Sequence, residues 1–257
     1  MKIGIFGDSF GQHCMYLRYP QVSLEEEVKR KAWWDYLSEI DDIELTNHSV
    51  SGSSLYYSYH EFLKYYKNYD YIIVLVTSWG RMWAPQLTTI YPWVPSIRQI
   101  ELNLEICKDD DDRKILEALM DYYVYVENKD YSIDMHKIMC KEMKNLHPKT
   151  LLIPCFPNNG GSFIPDWEGP CLEDISRIDS SFYKVDQHTT ADRKHGHIND
   201  KNNYILFQKI YDYIKSYGST KFTINLSDYK EPIEPFEYNY FHKRPPMVDY
   251  LTCKPII

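Results

Sequence analysis

Ser9 stands in the stretch KIGIFGDSFGQ, where a short apolar run breaks into Gly7-Asp8-Ser9-Phe10-Gly11. A serine hydroxyl is a weak nucleophile until a neighbouring base, commonly an imidazole, takes its proton. A tight polar corner at a strand end is a place where such a hydroxyl can meet a substrate. GDSFG formally matches the nucleophile-elbow pattern G-x-S-x-G, but that elbow normally follows several strands and this one follows the first. Two further polar corners have the same character, Asn47 to Ser54 (NHSVSGSS) and Thr77-Ser78 in VTSWGR, with Arg81 closing the latter. Asn158 lies in a turn, Pro157-Asn158-Asn159-Gly160-Gly161, that follows another apolar run. Toward the C-terminus, ADRKHGHINDKNN (191–203) gathers Asp192, His195 and His197.

Several other chemistries find no support. His195 and His197, with His188, lack the carboxylate or cysteine spacing of a metal site, so no metal is expected. There are six cysteines but no CxxC pair, which suits free, mostly buried thiols in a reducing compartment. No Walker A sequence and no G-x-G-x-x-G occurs, so no nucleotide and no other cofactor is expected. Net charge is −8, from 29 basic and 37 acidic residues, with no concentrated basic face, which argues against nucleic acid as a partner. One Lys before a short strand-like run predicts no signal peptide. No apolar stretch approaches the roughly eighteen residues that cross a bilayer, so no membrane partner is expected.

The elements that must position these corners alternate in type. KIGIF (2–6), IELTN (43–47), YDYIIVLVTS (69–78) and TLLIPCF (150–156) read as strands. Helices are predicted over 23–40, 55–68, 110–128, 132–146 and 201–218, and 80–100 reads as a long Trp- and Pro-rich loop. Asp109–Asp112 reads as a solvated turn and helix start, and His136 and Met139 as core or boundary residues. Alternation of this kind predicts a parallel α/β sheet with helices on both faces. In such a sheet the carboxyl ends of the strands carry the site, and all three polar corners fall there. Tyrosine is abundant, 24 of 257 residues against 10 glycines, and fits half-buried packing and contact surfaces. After Gly218 five prolines and many aromatics replace helical periodicity, which predicts an extended arm over 218–257, lying on its own domain or on a second copy in a homo-oligomer.

GDSF directly after the first strand resembles the first signature block of the GDSL/SGNH hydrolase family. NHSVSGSS resembles its second block, an Asn followed five residues later by Gly52. ADRKHGHINDKNN resembles its last block, in which an Asp and a His precede the final helix. The resemblance covers roughly residues 1–217, with an insertion at about 80–148. It implies a three-layer α/β/α sandwich with a flavodoxin-like parallel sheet. It also implies Ser9 as nucleophile, Asp192 as the group that orients the base, and either His197 or His195 as that base. Asp192-Arg193-Lys194-His195 fits the family's Asp-x-x-His spacing, whereas His197 has the short cap and helix that usually follow the family's His and is preferred. The backbone N–H groups of Ser9 and Gly52 would hold the oxyanion.

The third block departs from the family, whose Gly-x-Asn-Asp is replaced by VTSWGR. Thr77 or Ser78 would then supply the missing donor, and Asp8, Arg81 and Asn158 would contact substrate. The implied activity is hydrolysis of an ester, such as an O-acetyl group on a carbohydrate. Trp79, Trp83, Tyr91 and Trp93 offer rings for a sugar or for packing over the sheet edge. The alternative is an SGNH-like module that binds glycan or serves in an assembly. Free thiols and no expected signal peptide suit a cytoplasmic location, and some divergent, often virus-borne, members resemble the longer Asp-to-His spacing, so the expected location is cytoplasmic or virus-associated.

Overall fold

The computed structural model describes residues 1–11, 31–50, 52–83, 93–94, 97–157, 164, 167, 169–181, 198, 200–219, 221–229, 248–249 and 254–255. In chain order the elements are β1 (Lys2–Phe6), α1 (Trp33–Ser38), β2 (Glu44–Asn47), α2 (Leu55–Tyr65), β3 (Tyr71–Val76), β4 (Met82–Trp83) and β5 (Trp93–Val94). There follow α3 (Ile97–Ile106), α4 (Asp110–Asp121), α5 (Lys129–Leu146), β6 (Thr150–Pro154), α6 (Leu172–Ser181), α7 (Asp200–Lys215), β7 (Val248–Asp249) and β8 (Lys254–Pro255).

Four strands form a parallel sheet in the order β2-β1-β3-β6, flanked by helices. Every residue of β3 is buried, as expected for an inner strand with cover on both faces, and its sequence YIIVLV is accordingly apolar without alternation. Successive side chains point to opposite faces. Ile3, Ile5, Ile73, Leu75, Leu151 and Ile153 pack with Trp33 and Leu37 of α1 and with Leu206, Ile210 and Ile214 of α7. Phe6, Ile72, Val74, Val76 and Leu152 pack with Leu55 and Phe62 of α2 and with Met139, Cys140 and Met143 of α5. Ile100, Cys107, Leu116 and Tyr123 make a smaller core between α3 and α4.

Several elements differ from the sequence expectation for physical reasons. The loop over 80–100 contains the antiparallel pair β4–β5 and runs into α3, with Trp83 packed on Tyr56, Tyr57 and His60 of α2. Helix α4 stops at Asp121, and Tyr122–Val126 form a π turn closed by the Glu127 N–H on the Tyr122 carbonyl (2.8 Å). Asp109 caps α4, accepting from Asp111 and Asp112 N–H, but Asp112 is buried rather than solvated. Helical spacing places Asp112 one turn before buried Leu116, on the inward face. Helix α6 was hidden by its Pro- and Gly-rich surroundings; Asp174 starts it by accepting from Cys171 N–H (2.9 Å). Of the expected 23–40 helix, residues 31–40 are described and only Trp33–Ser38 is helical, with Ala32 extended at its start. Beyond Gly218, Phe222, Ile224 and Tyr229 are buried in the first-face core, and the ladder β7–β8 follows. No helix among the described residues is long and apolar enough to cross a membrane.

His136, on α5, is buried and its Nδ1 has no hydrogen-bond partner among the described residues. Burial alone holds this imidazole neutral, lowering its pKa to about 4. Above the ordinary value of 6.5 neither the folded nor the unfolded chain binds the proton there. Below 6.5 the unfolded chain takes it up first, so stability falls as pH drops toward 4, by an amount on the order of 3 kcal/mol. Urea midpoints between pH 7 and 4 should show this decline, and His136→Leu should flatten that part of it.

Candidate active site

The site is built where the order of strands reverses, between β1 and β3, the position at which open parallel sheets bind ligands. Past Phe6 the chain turns sharply. Gly11 N–H donates to the Asp8 carbonyl (2.9 Å), and Phe10 N–H donates to Asp8 Oδ1 (3.1 Å), an Asx-type turn that fixes Ser9 between them. Ser9 is 6% exposed. Trp33 Nε1 donates to the Phe10 carbonyl (3.1 Å), tying the corner to α1.

The second corner is stitched to the first. Val50 N–H and Ser53 Oγ both donate to the Gly7 carbonyl (2.9 Å each), and Asn47 Nδ2 donates to the Gly11 carbonyl (2.6 Å). Asn47 Oδ1 accepts from Ser49 N–H (3.0 Å), so one amide sets both corners. Gly52 has φ +76°, a left-handed conformation that favours glycine, just before Ser54 caps α2. A side chain at Gly11 would meet Leu75 Cδ1 and Ser49 Cβ at 2.7 Å. Gly11→Ala is therefore expected to destabilise by about 1–3 kcal/mol through overpacking, read as a lower urea midpoint.

The third corner closes on Asp8. Thr77 Oγ1 (2.7 Å) and Arg81 Nη1 (2.8 Å) donate to Asp8 Oδ2, and the Cys155 thiol donates to Oδ1 (3.6 Å). Burial pushes the Cys155 thiol well up, with the Asp8 charge adding to it, so it stays protonated and remains a donor. With Phe10 N–H, Asp8 accepts four hydrogen bonds, the full capacity of a carboxylate, and its side chain has no exposure. Arg81 is 12% exposed, also donates to the Ser53 carbonyl (3.4 Å), and lies over the Phe156 ring at 4.7 Å. Tyr123 of the π turn donates to the Gly80 carbonyl and steadies this loop from the insertion side.

The structure thus brings Asp8, Ser9, Gly52, Thr77, Ser78 and Arg81 to one end of the sheet. The Thr77 hydroxyl proton is directed at Asp8, whereas Ser78 is partly exposed and its Oγ accepts from Gly80 N–H (3.4 Å). Asp8 faces inward onto Arg81 and Thr77. Asn158, Asp192, His195 and His197 lie outside the described residues. Cys155 and Phe156 escaped the sequence reading; their signal was position alone, at the carboxyl end of a buried strand. Among the described residues no group of three or more His, Cys, Asp or Glu is gathered as a metal site.

No protein-family model matches the chain, and no curated protein matches it. Among solved structures the chain is similar to the crystal structure of an acetyl xylan esterase, AlAXEase, at 15% identity over 83% of this chain and 100% of that one, with a TM-score of 0.33. A likeness that distant carries no weight for fold or chemistry, which rest on the residues above.

Proposed function

We propose that this chain is a serine esterase of the SGNH type, in which Ser9 attacks the carbonyl of an ester and water then releases the acyl group. The observation that carries this reading is the joining of three strand-end corners around Gly7-Asp8-Ser9, through Asn47 to Gly11, Ser53 to Gly7, and Thr77 and Arg81 to Asp8. A nucleophile needs a corner that does not move, and this one is held from three sides. The strand order β2-β1-β3-β6 accords with a flavodoxin-like sheet inside a three-layer sandwich. In this reading residues 1–217 are the catalytic unit and 218–257 an arm, of which Phe222, Ile224 and Tyr229 pack on that unit's own core. His197 is the base, with His195 as the alternative, and Asp192 orients it. Ser9 and Gly52 N–H hold the oxyanion with the Ser78 hydroxyl, since Thr77 is engaged with Asp8. The substrate class to test first is an O-acetylated carbohydrate. A binding module without catalysis is the second reading, favoured by that engagement of Thr77.

The deciding test is intact mass after exposure to a fluorophosphonate probe, with His197→Ala and His195→Ala alongside the unaltered chain. One adduct, lost in His197→Ala only, is the expected result. Loss in His195→Ala instead reassigns the base, and a folded protein that takes no adduct supports the binding module.

A further inference from the structure

A guanidinium carries five N–H donors, and in Arg81 the described acceptors engage only Nη1, through Asp8 Oδ2 and the Ser53 carbonyl. Nε and Nη2 meet no acceptor among the described residues, and the Arg81 side chain is 12% exposed. These two atoms form the edge whose N–H bonds run parallel and match two coplanar oxygens. The edge is rigid. Asp8 is buried and saturated behind it, the Phe156 ring lies against its face, and the chain leading into Arg81 is tied by Arg81 N–H to the Ser78 carbonyl (3.3 Å) and by Tyr123 to Gly80. Asp8 and Ser53 immediately adjoin Ser9 and Gly52 in the chain, so the guanidinium that donates to them lies beside the corner that presents Ser9.

We propose that the Nε–Nη2 edge of Arg81 is a carboxylate-binding subsite beside Ser9, so that the ester hydrolysed is carried on an acidic molecule of the uronic-sugar type. The word substrate rests on the esterase reading; the binding does not. A carboxylate fits better than a phosphate because Asp8 already balances the guanidinium. One more negative charge is shared by a single cation, whereas a dianion would bring two. Preorganisation by the buried pair means that little side-chain freedom is lost on binding.

The test begins with the unaltered full chain, titrated at millimolar concentrations with glucuronate and with glucose. Glucuronate is expected to bind at least about tenfold more tightly, and equal or absent binding of both overturns the subsite. Arg81→Lys keeps a cation beside Asp8 and loses the fork, so glucuronate affinity should fall about tenfold; retained affinity in a folded variant also overturns it. If that variant does not fold, the titration of the unaltered chain still decides. The kinetic arm compares an O-acetylated methyl glucuronide with the matching O-acetylated methyl glucoside. The ratio of their kcat/KM values should exceed about ten in the unaltered chain and fall toward one in Arg81→Lys, chiefly through KM. Equal losses on both esters place Arg81 on the reaction or the fold and overturn the subsite. Glucuronate binding without hydrolysis of either ester sinks the esterase reading and leaves the subsite standing; hydrolysis without discrimination does the reverse.

Discussion

Replacing Ser9 by alanine is expected to lower kcat/KM for an acetyl ester by about 10³-fold or more while the fold is retained. A nucleophile cannot be substituted by its neighbours, because the acyl group must be transferred to that oxygen before water releases it. The hydrogen bonds that shape the corner come from Phe10 and Gly11 N–H, Asn47 and Ser53, and they survive loss of the Ser9 hydroxyl. Thermal denaturation should therefore show a folded variant. Hydrolysis that continues unchanged in Ser9→Ala would sink the proposed chemistry, wherever else in the chain the activity then proved to lie.

The second large effect is on stability. Arg81→Met should destabilise the chain by about 3–5 kcal/mol, because it leaves the Asp8 carboxylate fully buried without its cation. Burying an ion is costly, and here the attraction to Arg81 and the donors from Thr77, Phe10 and Cys155 offset that cost together. Thr77→Val removes one neutral donor from the same oxygen and is expected to cost less, about 1–3 kcal/mol. Urea denaturation of the two variants checks the order. Equal losses would mean that the charge of Arg81 contributes nothing beyond one hydrogen bond. A double variant, Arg81→Met with Asp8→Leu, should recover much of the loss, since no buried charge is then left alone.

What was legible in the sequence follows from what is local. YIIVLV reads as an inner strand because unbroken β-branched and apolar residues suit cover on both faces, and Tyr71–Val76 is buried throughout. The helix read over 55–68 begins where expected, at Leu55, and the structure adds its cap: Ser54 Oγ accepts from Tyr57 N–H (3.2 Å). Helix α3 was not legible because Trp- and Pro-rich text precedes Ile97 and masks its period. The inward turn of Asp112 was not legible either, because a run of four aspartates reads as solvated until the helix phase around Leu116 is known.

By itself the amino-acid sequence determined the alternation of strands and helices and the placing of Gly7-Asp8-Ser9, Asn47 to Ser54 and Thr77-Ser78 at strand ends. Both depend on periodicity and turn chemistry within a few residues. Only the tertiary structure decided what these corners do to one another. Asp8 meets Arg81 across 73 positions and Cys155 across 147, and no local pattern encodes such a meeting. It arises because parallel strands in the order β2-β1-β3-β6 bring their carboxyl ends to one edge. There a carboxylate withdrawn from water has to find its donors among whatever the neighbouring strands deliver.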